Sequence, residues 1–135
     1  MKKLPEQSAP KKYWVKRFVE GMPFSLYRER QLEDLKKFGS EPGIKRLVDE
    51  INKHSFMVTC GSCEGHEDIQ QHAFVNIVIK NPFVKKLLSV ISNVKGTEIL
   101  EFKATPANAR AFHIRIFLDN KNNTIKKLIR SLRKL

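Results

Sequence analysis

The sequence predicts an α+β fold. N-terminal helices are followed by two ββα units that form one four-stranded sheet with two helices on one face. Three observations predict it. Residues 72–80, HAFVNIVIK, are β-branched and apolar on both sides, the pattern of a central strand. Residues 83–94 and 124–135 carry apolar side chains at helical spacing. Each of these helices follows two strand-like segments, so strand, strand, helix occurs twice, over 55–94 and over 97–135.

In chain order, residues 1–12 are lysine-rich with two prolines and read as a flexible basic tail. Residues 13–135 then make a single domain. KKYWVKRFVE places Trp14 and Phe18 on one side of a short helix. YRERQLEDLKKF gives a second helix with Leu32 and Leu35 inward, and GSEPG is a turn. In residues 43–54, Ile44, Leu47, Val48 and Ile51 follow the i, i+3, i+4, i+7 template. Phe56, Val58 and Cys60 alternate as a short strand, and residues 61–66 follow as a loop. After the strand at 72–80, Asn81-Pro82 starts a helix whose apolar face is Phe83, Leu87, Val90, Ile91 and Val94. Gly96 ends it. TEILEFK is strand-like, TPANA is a turn, and RAFHIRIFL alternates with Phe112, Ile114, Ile116 and Leu118 on one face. The last helix has the stripe Ile125, Leu128, Ile129, Leu132 and Leu135. Lys126, Lys127, Arg130, Arg133 and Lys134 cluster on its other side. FVKKLL and TIKKLI look alike, although residues 72–80 and 110–118 place their apolar faces in opposite phase.

The chain has 26 basic and 14 acidic residues, a net charge of +12. That excess disfavours acidic or apolar partners and favours polyanions, nucleic acid first, because phosphate contacts release counterions. The N-terminus carries no apolar core of a signal peptide, and no stretch is long and apolar enough to span a bilayer. The expected setting is cytoplasmic, with no membrane partner and no structural disulfide between Cys60 and Cys63.

The segment GSCEGH, residues 61–66, packs a thiol, a carboxylate and an imidazole between two glycines. Cys60-x2-Cys63-x2-His66-x5-His72 has zinc-like ligand types, with His54 a further candidate. The second pair is too short for a finger and no second Cys-x2-Cys exists, so the expectation is no metal. A redox pair would open a helix, whereas a strand follows here. Cys63 with His66 or His54 as base is conceivable as a nucleophile. Gly61 and Gly65 permit positive φ, so the turn could form a nest of N–H groups for a carboxylate or phosphate.

Leu47, Val48, Ile51, Asn52 and His54, followed by Ser62, Cys63 and Gly65, carry a family resemblance. The order resembles that of the tRNA wybutosine-synthesising methyltransferases, the third enzyme of that pathway. There a Leu-Val-x-x-Ile-Asn-x-His helix end leads through a strand into Ser-Ser-Cys-Ser-Gly-Arg. The resemblance covers residues 27–66 and is loose beyond them. Gly61, Glu64 and His66 depart from the pattern, and the chain lacks the family's Gly-Phe-x-x-Ser-Gly ending. The resemblance implies S-adenosylmethionine as cofactor, tRNA as partner, and methyl transfer to a guanine-derived nitrogen. It also implies a fold without the dinucleotide-type βαβ unit, and no Gly-x-Gly-x-x-Gly motif is present. On that basis Gly61, Ser62, Cys63, Gly65 and Asn52 are expected to bind the donor. Glu64 would face its amine or sulfonium, and His66 or His54 would take the proton.

A second function class is a non-catalytic RNA-binding domain. Its contacts would be Lys126, Lys127, Arg130, Arg133 and Lys134, with Phe74 and Phe117 available either for base stacking or for core packing. A third is a module that binds another small anion in the 61–66 loop.

Overall fold

A computed structural model of the chain describes residues 22–66, 68, 72–104 and 111–135. The expected tail, the helix with Trp14 and Phe18, and the TPANA turn lie outside the described residues. The described elements are α1 (Phe24–Phe38), α2 (Pro42–Asn52), β1 (Met57–Cys63), β2 (Ala73–Lys80), α3 (Val84–Ser92), β3 (Thr97–Ala104), β4 (Ala111–Leu118) and α4 (Lys121–Leu132). A single 3-10 turn, Asn81–Phe83, leads into α3, with Pro82 where an N–H would have no partner.

The strands form one antiparallel sheet in the order β1-β2-β4-β3. Two hairpins, β1–β2 and β3–β4, meet along the β2–β4 pair, and each is followed by a helix. This is the expected pair of ββα units. The opposite phase of the two inner strands has a direct cause. In an antiparallel pair Ala73 faces Leu118, Val75 faces Ile116 and Ile77 faces Ile114. Odd-numbered residues of β2 therefore share a sheet face with even-numbered residues of β4. The edge strands repeat a further detail: the register slips between Thr59 and Gly61 in β1 and between Ile99 and Glu101 in β3. Each slip is a one-residue bulge, which twists and bends an edge strand.

The main core lies between the sheet and α2, α3 and α4. Ile44, Leu47, Ile51, Met57, Ile77, Ile79, Leu87, Ile114, Ile116, Leu128 and Leu132 are at most 1% exposed there. Three helices thus cover this face rather than two, because the stripe expected on residues 43–54 packs beside α4. The opposite face holds a second cluster, in which Met22, Phe24 and Tyr27 pack on Val58, Cys60, Val78 and Ala111. So α1 begins before the expected start at Tyr27, and Phe24 and Tyr27 anchor it. Leu32 and Leu35 are only half-buried. Arg28 fixes α1 to the α2–β1 turn by donating to the carbonyls of Asn52 (2.6 Å) and Met57 (3.2 Å).

Candidate functional site

Three segments converge where β1 runs out toward β2. The first is the start of α2, where extended Glu41 precedes Pro42 in the first helical turn. The second is the end of β1 with Cys63. The third is Glu64, Gly65 and His66. The two glutamates clasp these segments together. Glu64 N donates to Glu41 Oε1 (3.0 Å), and Gly43 N, at the open N-terminus of α2, donates to Glu64 Oε1 (3.2 Å). Gly43 gives these side chains room to approach. A Cβ there would lie 3.0 Å from Glu64 Cβ, Glu64 Oε1 and Lys121 Nζ.

The second oxygen of Glu41, Oε2, lies 3.2 Å from His66 Nε2. No hydrogen bond joins them, and Nε2 is closed to solvent. Cys63 is fully buried, and its Sγ accepts from Gly65 N (3.4 Å). One donor atom from each of Glu41, Cys63 and His66 falls within 4.8 Å of the other two.

Several expectations change here. Gly61, Ser62 and Cys63 belong to β1, so the turn starts only at Glu64. The N–H groups of Glu64 and Gly65, expected as a nest for a ligand, are filled by Glu41 and Cys63. Ser62 is buried opposite Val75. Asn52 is engaged within the chain: its Oδ1 accepts from Thr59 N and its Nδ2 donates to Thr59 Oγ1, both at 2.9 Å. His54 does not join Glu64 and His66. It precedes β1 at the other end, packed against Phe56, and the strand alone separates the two ends by roughly 20 Å at about 3.3 Å per residue. Cys60 faces α1, and burial pushes its thiol up to about 12, against a hydrogen bond from Tyr27 and the charge of Arg115. His72 is exposed. Glu41 was missed, since Ser-Glu-Pro-Gly reads as a plain turn. Its only signal is an acid directly before Pro at a helix start.

The basic side chains lie apart from this loop. Lys126, Lys127, Arg130, Arg133 and Lys134 are exposed, while Arg133 Nε also donates to the buried Glu50 (3.1 Å). A shallow groove of about 460 Å³ runs between α3 and the end of α4, lined by Lys85, Lys86, Ser89, Val90, Lys134 and Leu135. Lys85 and Lys86 were not singled out from sequence, although the likeness of FVKKLL to TIKKLI marks both pairs. Phe74 is 6% exposed and packs against Phe117, with Arg115 over its ring at 5.0 Å. That is core packing, not an open stacking platform. No helix among the described residues is long and apolar enough to cross a membrane. Comparison with known protein families, curated proteins and solved structures finds no match.

Proposed function

We propose that this chain is an RNA-binding protein of the tRNA-modification type, and that it holds RNA phosphates on the α3–α4 face. One observation carries the reading. Residues 84–92 and 121–135 contain no acid, their Lys85, Lys86, Lys126, Lys127, Arg130, Arg133 and Lys134 are all exposed, and Lys85, Lys86 and Lys134 line one open groove between the two helices. A single-signed stripe over an apolar base concentrates potential and binds phosphate with counterion release. Opposite the groove, these helices are held rigidly by Leu87, Ile91, Leu128 and Leu132 in the core, so the charges sit on a fixed platform. The test is tRNA binding by fluorescence anisotropy. Lys126→Glu with Lys127→Glu and Arg130→Glu is expected to weaken binding at least about tenfold. Unchanged affinity in the folded variant would remove the reading.

Methyl transfer from S-adenosylmethionine is a second reading, drawn from the sequence resemblance. What favours it is that Glu64 Oε1 and Lys121 Nζ both reach Gly43, each 3.0 Å from where a Cβ would stand. An acid and a base near one backbone position suit the ammonium and carboxylate of a zwitterionic amino-acid end. Calorimetry with S-adenosylmethionine and its demethylated product tests it, and no heat at millimolar ligand would rule it out.

A further inference from the structure

We infer that Glu41, Cys63 and His66 form a zinc site with one open coordination position. A carboxylate oxygen, a thiolate sulfur and an imidazole nitrogen are all established zinc donors, and sulfur disfavours magnesium and calcium. The spacing fits. Tetrahedral zinc with bonds of roughly 2.0–2.3 Å sets its donors roughly 3.3–3.6 Å apart. Glu41 Oε2 and His66 Nε2 are already at 3.2 Å, and the set with sulfur lies within 4.8 Å, so a small side-chain shift completes it.

The surroundings support the same ion. Cys63 is fully buried, and the side chains of Glu41 and His66 are 14% and 27% exposed, so water competes weakly for the donors. Glu64 N–H holds Glu41 Oε1 and turns Oε2 toward His66, while Gly65 N–H donates to the Cys63 sulfur, a bond that would stabilise it as a thiolate ligand. These are outer-shell bonds of the kind that orient metal ligands. The ion would also bond His66 Nε2, which faces Glu41 Oε2 at 3.2 Å without a hydrogen bond. Only Cys63 and His66 come from the zinc-like spacing in the sequence; Glu41, brought in by α2, replaces Cys60 and His72. The ligands come from three segments, so the ion would pin the β1–β2 turn to α2. The inference does not rest on RNA binding.

Cobalt(II) titration of the metal-free full chain tests it by absorption. One equivalent is expected to give visible bands and a thiolate-to-cobalt charge-transfer band, both bleached by zinc. His66→Gln and Glu41→Gln should each weaken binding at least about tenfold. Cys60→Ala should leave the bands intact, and Cys63→Ser should remove the charge-transfer band. Binding should weaken as pH falls, because the thiol must lose its proton. No saturable band, a band lost in Cys60→Ala, or wild-type affinity in both His66→Gln and Glu41→Gln would overturn the proposal. Should buried Cys63→Ser fail to fold, the other two variants decide. tRNA affinity of His66→Gln is expected to match wild type, which keeps this test separate from the RNA-binding one.

Discussion

At the residue scale, polar side chains that looked like ligand groups hold the chain to itself. Asn52 closes both ends of its amide on Thr59 and so joins the end of α2 to the middle of β1. Asn52→Ala leaves the buried Thr59 N–H and hydroxyl without these partners and is expected to cost about 1–3 kcal/mol, read by urea unfolding. A loss of methyl-donor binding with stability untouched would instead restore the ligand role. Glu50, not singled out from sequence, is also held within the chain. Burial works to raise its carboxyl, yet the Arg133 hydrogen bond and the charges of Lys53 and Arg133 outweigh burial and hold it below its ordinary 4.5. A carboxyl depressed by folding adds stability above its ordinary value, and that part is lost as pH falls below 4.5 through the folded value. Arg133→Ala should shrink this acid-side loss and cost about 1–2 kcal/mol at neutral pH. The cost is modest because Arg133 is 64% exposed and Lys53 remains. Unfolding curves identical at neutral pH would contradict it.

At the element scale, periodicity made most of the fold legible. Ile44, Leu47, Val48 and Ile51 all lie in the core of α2, and Ile125, Leu128, Ile129 and Leu132 in that of α4, because one apolar stripe leaves a helix only one way to pack. The end of β1 was not legible. Its bulge at Cys60 breaks the two-residue rhythm, so Gly61 to Cys63 read as loop although they pair with Asn76, Val75 and Phe74. Glu41 was hidden for a different reason: its partners Glu64 and His66 are more than twenty residues away, and local spacing carries no such information. Gly96 was expected to end the helix; α3 in fact ends at Ser92, but the positive φ expected of Gly96 is present. At φ +99° it joins α3 to β3, its carbonyl accepts from Asp119 N, and a Cβ would run into Thr124 Oγ1. Gly96→Ala is expected to cost at least about 1–3 kcal/mol, with a matching fall in melting temperature. Wild-type stability would mean that this corner can relax.

At the scale of the whole molecule, charge and sheet divide the work. The sheet and three helices make a rigid core, α1 covers the opposite face through Phe24 and Tyr27, and the α3–α4 surface carries lysine and arginine without acids. The β1–β2 turn with Glu41, Cys63 and His66 is a second centre, distinct in its residues from the basic groove. The net charge of +12 favours a polyanionic partner without saying which surface would meet it; pairing of Arg133 and Lys53 with Glu50 shows that part of that charge is used internally. The most direct measurement is the salt dependence of tRNA affinity for wild type and for Lys126→Gln with Lys127→Gln and Arg130→Gln. If these side chains each neutralise a phosphate, the log–log slope should fall by roughly 0.7–0.9 per residue, and affinity should fall with it. An unchanged slope and affinity would contradict the claim that α3 and α4 form the RNA-binding face.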